Sequence, residues 1–408
     1  MSEATARPVT VTAMSSAMQA IGGGLGWSLV PALMPQIAGE LELSHAQSAM
    51  IWGAASLGIA LASPAGGAAV DRYGARRVGA IAMAVGAIAC AARAWAPDAM
   101  TLALTMLLFG AHVGFVAPAI PKALAGHVPA TAIGRANGLA LLGYTFGTAL
   151  TVLLARTVLA PAFGGWRGAT IAAAFAMVGM AALWFAVVRD RGTRSRHASM
   201  RDSIALLANG TLVRVACMHF LLFGGYLTLL GLLPRALGEA GLAPTQVGIA
   251  VAGWLFAAGI ANFVGPVISD RLGRRRPLIV FGALLAATGI AILAFAPPEA
   301  TIVWLAIAAL GGGSFAPLLL AMPLEIRGVG VERAGAALGL LMLVGQLGGF
   351  VLPIVVGFIK DGPAGFGGAM LALALVHGAI LIPALRLPET GPAAREDAVR
   401  AEARAVVA

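Results

Sequence analysis

Twelve apolar runs of roughly twenty residues, separated by short loops that carry most of the arginines, constrain this chain more than any other feature. A run of that length crosses the hydrocarbon core of a bilayer as an α-helix. The runs fall at 11–37, 46–69, 78–96, 99–121, 132–159, 169–188, 206–233, 246–268, 278–296, 301–324, 334–358 and 366–385, and are referred to here as helices 1 to 12. They are too long for strands and lack alternation of apolar and polar residues, which excludes a transmembrane barrel. Charged residues make up 11% of the chain, against about 25% in soluble domains. The 54 glycines suit helices that pack in lipid through small residues. The predicted fold is all-α and polytopic, with twelve transmembrane helices.

The net charge of +10 raises nucleic acid as a partner. The arginines, however, are scattered over short loops and form no basic face, so no nucleic-acid partner is predicted. Cys90 and Cys217 both lie inside apolar runs, and no structural disulfide is expected. The first run is too long for a cleavable signal peptide and has no charged region before it beyond Arg7.

Arginine placement sets the orientation. With the N-terminus inside, the inner loops hold Arg72, Arg76, Arg77, Lys122, Arg135, Arg189, Arg191, Arg194, Arg196, Arg201, Arg271, Arg274, Arg275, Arg276, Arg327 and Arg333, and the tail adds Arg386, Arg395, Arg400 and Arg404. The outer side keeps Arg93, Arg156, Arg167, Arg235 and Lys360. The expected location is a cytoplasmic (inner) membrane, multi-pass, with both termini cytoplasmic.

Two stretches repeat. Gly66-Gly67-Ala68-Ala69-Val70-Asp71-Arg72-Tyr73-Gly74-Ala75-Arg76-Arg77 returns as Gly265-Pro266-Val267-Ile268-Ser269-Asp270-Arg271-Leu272-Gly273-Arg274-Arg275-Arg276, with Asp71 and Asp270 199 residues apart. In each, the first glycine lets two helices approach closely and the later one allows a tight turn. The acid can face a helix N-terminus, and the arginines hold the loop at the cytoplasmic surface. The same offset of 199 relates Gly26-Trp27 to Gly225-Tyr226 and Pro35 to Pro234, while Phe115 and Phe315 differ by 200 and Arg135 and Arg333 by 198. Six helices per half start each half on the same side, which predicts a parallel repeat about an axis along the membrane normal. The domains expected are a six-helix bundle at 1–188, a polar cytoplasmic linker at 189–205, a second bundle at 206–388 and a charged tail at 389–408.

These residues resemble the major facilitator superfamily. The stretch from Gly66 to Arg77 is similar to that family's signature between helices 2 and 3, and Asp270 to Arg276 is its weaker echo. The resemblance spans nearly the whole chain and implies a two-bundle transporter that works by alternating access, with a central cavity lined mainly by helices 1, 4, 7 and 10. It implies a cytoplasmic latch made by Gly67, Asp71, Arg72, Gly74 and Arg76 against the start of helix 11 near Arg333. The echo implies a second latch made by Asp270, Arg271, Gly273 and Arg274 against helix 5 near Arg135. Within the superfamily, the run Pro118-Ala119-Ile120-Pro121-Lys122 leading to Gly134-Arg135-Ala136-Asn137-Gly138 is similar to the nitrate/nitrite and cyanate-type permeases. Nitrate carriers are expected to hold an arginine inside helix 2 and another inside helix 8. Here those helices read Met50-Ile51-Trp52-Gly53-Ala54-Ala55-Ser56-Leu57 and Gly253-Trp254-Leu255-Phe256-Ala257-Ala258, so the resemblance implies only an anion-permease-like member.

Ionisable groups at membrane depth are costly and therefore candidates for function. All seventeen acidic residues fall in loops, tails or helix ends, which disfavours a buried carboxylate as proton carrier or as counter-charge for a cation. Basic and neutral groups remain. His112 in helix 4 and His219 in helix 7 can bind an anion or carry a proton, or else can pack with one ring nitrogen on a backbone carbonyl. Arg214 near the start of helix 7 can reach the cavity floor or snorkel to headgroups. Polar and aromatic cavity candidates are Gln19, Trp27, Tyr144, Tyr226, Trp254, Asn262 and Gln346, with Trp27 and Tyr226 equivalent in the repeat. Lys122 can pair with Asp71 or Glu325. The glycine clusters lack a following Gly-Lys-Ser/Thr, and no metal-binding or nucleophile motif is present. No enzyme activity and no cofactor are expected.

The predicted function is secondary transport of a small, anionic or weakly acidic solute, coupled to protons or to exchange of another anion, by a monomer. The alternative is efflux of lipophilic drugs through an apolar cavity.

Overall fold

In the computed structural model the described residues are 3–129, 132–190, 206–297, 300–326 and 329–391. Most of the expected linker, Arg327 and nearly all of the tail lie outside them. Every regular element among the described residues is helical. Among the described residues eleven helices are long and apolar enough to cross a membrane by length and composition, and α1 (residues 3–40) precedes them. This first helix covers residues 3–40 as Glu3–Met18, a π-helical stretch Gln19–Trp27, and Ser28–Glu40. The rest of the first half is α2 (His45–Tyr73), α3 (Ala75–Ala92, closed by the 3-10 turn Arg93–Trp95), α4 (Ala99–Ala125), α5 (Ile133–Leu154, extended by a second π stretch) and α6 (Trp166–Val187). The second half runs α7 (Gly210–Glu239), α8 (Pro244–Leu272), α9 (Arg276–Leu293), α10 (Thr301–Ala321), α11 (Gly330–Asp361) and α12 (Gly365–Ala379, then Leu381–Leu385).

Each helix coincides with one apolar run, but α1, α2, α4, α7, α8 and α11 reach several residues further than the runs. Hydropathy fades where the helix leaves hydrocarbon, whereas the backbone continues until a cap stops it. At α2 the signals are explicit. Ser44 Oγ accepts from the Gln47 backbone N–H while Gln47 Oε1 accepts from the Ser44 backbone N–H, a complete capping box. Gly74, at φ +87°, ends α2 and opens α3, a left-handed turn that favours glycine. The stretch Val70-Asp71-Arg72-Tyr73, expected as loop, is therefore the last turn of α2.

The chain divides into two compact units. The first comprises Met1–His197 with Thr228–Ala252 and Pro353–Asp361, and the second Ala198–Leu227, Gly253–Leu352 and Gly362–Ala408. Within the first, α1 and α5 touch backbone to backbone: a methyl on Gly24 would stand 2.6 Å from the Gly147 Cα. Within the second, α7 and α11 meet in the same way, Gly224 against Gly348 at 2.7 Å. The sequence repeat is thus also a repeat of contacts. Gly66 on the Gly114 carbonyl (α2 on α4) and Gly265 on the Ser314 carbonyl (α8 on α10) form another such pair. In lipid these approaches replace the hydrophobic effect as the cohesive force between helices.

Candidate functional site

The expected cavity residues divide between the two units, and each group is built from its own helices. In the first unit the π stretch of α1 widens the helix just where Gly22, Gly23 and Gly24 occur. π-Helical segments inside α-helices are rare and frequently fall at functional sites. A methyl on Gly23 would meet the Tyr144 ring at 2.7 Å and Gln19 Oε1 at 3.4 Å. Gln19 and Tyr144, both half-buried, therefore share one wall of α1 and α5. At the other end of the stretch Trp27 packs edge-to-face on Trp52, with ring centroids 5.1 Å apart. Its Nε1 is buried without a hydrogen-bond partner.

Behind α1 lies a charge that the sequence reading assigned to an outer helix end. Arg93 is fully buried (0% exposed). The 3-10 turn that closes α3 folds its side chain inward, where Nη1 donates to the Gly26 carbonyl at 2.7 Å and the guanidinium covers the Phe109 ring at 4.1 Å. Nε and Nη2 have no hydrogen-bond partner. Arg93 thus satisfies a carbonyl of the π stretch and leaves a permanent positive charge inside the first half. His112 sits beside the same ring, edge-on to Phe109 at 4.4 Å, and its Nδ1–H donates to the Phe109 carbonyl. Its ring lies on Gly86 of α3, where a methyl would stand 2.6 Å away.

In the second unit four rings form a row. His219 stacks on Phe223 at 5.6 Å, Phe223 on Tyr226 at 6.2 Å, and Tyr226 on Trp254 at 5.2 Å. His219 also rests on Gly345 of α11, at 2.5 Å from where a methyl would be. Its Nδ1 and the neighbouring Gln346 Oε1 are buried with no hydrogen-bond partner. Buried polar atoms are paired in the great majority of cases, so these two, one on α7 and one on α11, stand out. Arg214 is half-buried on α7, and Asn262 is exposed on α8. His377 is buried against Gly225, with Nδ1–H on the Leu373 carbonyl at 2.9 Å, a packing arrangement.

The repeated motif differs in detail between its copies. Asp71 accepts from Lys122 Nζ at 2.8 Å, one of the two pairings expected for that lysine. Gly67 is half-buried in α2, and Arg72 covers the Tyr73 ring at 5.2 Å. Arg76 donates from Nε to the Phe185 carbonyl at 2.6 Å, and its amide donates to Asp190 at 2.9 Å. In the echo, Asp270 pairs with Arg275, which also holds Glu325 at 2.8 Å, and Gly273 turns at φ +65°. Arg135, Arg271, Arg274 and Arg333 are exposed. Glu389 accepts from the Arg275 and Arg276 amides and so caps α9.

Twelve apolar helical segments with duplicated contacts and polar groups on α1, α5, α7 and α11 define a multi-pass membrane protein of the transporter kind. The chain belongs to the Major Facilitator Superfamily, whose family model matches residues 17–235 and 215–408. Among relatives, it is 28% identical over 359 residues to the probable nitrate/nitrite transporter NarK2 of Mycobacterium tuberculosis (strain ATCC 25618 / H37Rv), covering 82% of this chain and 85% of that one. It is 25% identical over 366 residues to the nitrite extrusion protein of Bacillus subtilis (strain 168), covering 87% and 89%. Its fold matches the crystal structure of a bacterial homolog of the human lysosomal transporter Spinster with a TM-score of 0.81, at 14% identity, over 94% of this chain and 97% of that one.

Proposed function

We propose that this protein is a secondary transporter of a small anion, inorganic or organic, working by alternating access. The observation that carries the reading is the sign of the buried charge. Among the described residues the buried basic side chains are His45, Arg93, His112, His219, Arg275 and His377, and no aspartate or glutamate is buried. Of these, Arg93 carries a charge with no acidic partner, and a buried positive charge favours an anion over a cation. Two relatives matched over more than four-fifths of their length are named for nitrate and nitrite, which supports the same class. The interiors of α2 and α8 carry no arginine, so the positive charge facing an anion comes from elsewhere. Arg93 behind α1 supplies it through space, and the open Nδ1 of His219 supplies a contact.

In this reading the halves are 1–188 and 206–388, joined by the 189–205 segment, with both termini cytoplasmic and one copy of the chain sufficient for transport. The residues proposed to contact solute are Gln19, Trp27 and Tyr144 in the first half and His219, Tyr226, Trp254 and Gln346 in the second. Asp71 with its arginines, and Asp270 with its own, latch the cytoplasmic side.

A thermal-shift screen of the purified protein tests the class. Nitrate, nitrite and small carboxylates are compared with lipophilic drugs, each near 100 times its dissociation constant, where a ligand adds about 2.7 kcal/mol. Stabilisation by an anion that is lost in His219→Ala supports the reading. Stabilisation by drugs alone, unchanged in that variant, overturns it in favour of efflux.

A further inference from the structure

The second unit carries a groove beside the start of α9, in a stretch that repeats the start of α3. At α3 Asp190 accepts from the Arg76 amide at 2.9 Å. Its equivalent at the offset of 199 is Glu389, which accepts from the Arg275 and Arg276 amides at 2.6 and 3.2 Å. Past this shared cap the halves part. In the first, Arg76 lies over the Phe185 ring of α6 at 4.0 Å and donates to the Phe185 carbonyl, so its side chain bridges α3 and α6. In the second, the equivalent residues are Arg275 and Ala384. Alanine offers no ring, and Arg275 is turned to Asp270 and Glu325 instead. Between α9 and the end of α12 there is a groove of about 770 Å³, within the range of about 300–1,000 Å³ for small-molecule sites.

The groove has two chemistries. Phe281 and Leu284, on one face of α9, and Leu385 at the end of α12 form an apolar wall, and all three are exposed. Arg274 and Arg276 line the same groove. The apolar span of α9 begins at Arg276, so the arginines stand where the helix leaves hydrocarbon, with Phe281 and Leu284 about 8 and 12 Å further in along its axis. Glu389 also lines the groove, but its carboxylate is committed to backbone. Besides the two α9 amides it accepts from those of Thr390 and Gly391 at 3.1 and 3.2 Å. Two guanidinium charges outweigh it.

An apolar wall at hydrocarbon depth under a basic rim matches one kind of occupant. Acyl chains cover the wall while a negatively charged headgroup meets the arginines. A soluble anion would leave the wall bare, and a zwitterionic lipid would bring a positive charge of its own to the rim. We propose that this groove binds an anionic diacyl phospholipid, with its phosphate at Arg274 and Arg276 and an acyl chain along Phe281 and Leu284. The lipid then bridges α9 and the end of α12, as Arg76 on Phe185 bridges α3 and α6. The leaflet it is drawn from rests on the orientation proposed above, in which the start of α9 is cytoplasmic; the binding itself does not.

The test is native mass spectrometry of the purified protein in detergent, offered equal amounts of phosphatidylglycerol and phosphatidylcholine with the same acyl chains. The parent should retain one phosphatidylglycerol in preference to phosphatidylcholine. That preference should fall about fivefold in Arg276→Ala and by about the same factor again when Arg274→Ala is added, as expected for basic residues at an anionic lipid surface. Arg77→Ala removes the equivalent, exposed charge of the first half and should leave the preference unchanged. Phe281→Ala should lower retention of phosphatidylglycerol, a loss that a site for phosphate alone would not show. No preference in the parent, the same preference in the double variant, an equal loss in Arg77→Ala, or displacement of the lipid by glycerol phosphate overturns the proposal. No transported solute is present, so the outcome is independent of whether the protein carries an anion.

Discussion

The two halves hold their shape with matching contacts and differ in how their aromatic residues are used. Trp27 and Tyr226 are equivalent in the repeat, yet Trp27 is sealed against Trp52, whereas Tyr226 belongs to a stacked row from His219 to Trp254 and is only half-buried. The histidines follow the same division. His112 is wedged between Gly86 and Phe109 with its nitrogen on a carbonyl, while His219 keeps a buried nitrogen open. The helix contacts are thus alike in the two halves, while the aromatic residue is packed away in the first and belongs to a partly open row in the second.

The largest expected effect tests what the halves share. Gly24→Leu and Gly224→Leu should each prevent assembly of a stable protein, since inserting side chains into close-packed contacts costs about 1–3 kcal/mol or more. Gly39→Leu, in open space, should leave the melting temperature unchanged. If Gly224→Leu were tolerated while Gly24→Leu was not, the shared architecture would fail. Next comes the histidine contrast. His112→Ala should destabilise by about 2–4 kcal/mol, as for other large-to-small core changes, with little effect on the apparent KM of the surviving protein. His219→Ala should do the reverse, and calorimetry alongside uptake separates the two. Equal effects of both variants on KM would erase the division of labour.

A smaller effect is expected in the aromatic row. Trp254→Leu removes one stacked neighbour of Tyr226 and should weaken solute binding by about 0.5–1.5 kcal/mol, with transport rate at saturation little changed. The smallest concerns Asp98, whose side chain caps α4 by accepting from the Thr101 amide at 2.8 Å. That bond holds the Asp98 carboxyl below its usual range. Its stabilisation is present above the unfolded carboxyl's range and is lost as pH falls through the lowered folded value. Asp98→Ala should therefore lower the melting temperature slightly at neutral pH, with the difference from the parent closing in acid.

The fold was legible because lipid imposes a length rule and the repeat supplies an internal check. The offsets that relate Asp71 to Asp270 and Trp27 to Tyr226 have a counterpart in the paired glycine contacts of the helices. The capping box at Ser44 and Gln47 and the turn at Gly74 are equally local signals. Arg93 was not legible in the same way: an arginine near a helix end reads as a surface anchor, and only the 3-10 turn after α3 sends it inward over Phe109. The π stretch left a trace in the run Gly22-Gly23-Gly24, which also fits simple close packing. A cluster of charged side chains around His45 draws residues from positions 235, 239, 360 and 361, and no spacing rule joins partners so far apart.

The central claim, anion transport by this chain, is tested most directly by solute counterflow in proteoliposomes loaded with unlabelled nitrate, nitrite or a small carboxylate and diluted into the labelled species. The account predicts transient accumulation of at least one labelled anion that disappears in His219→Ala. Accumulation of a lipophilic cation with no response to any of these anions would contradict it.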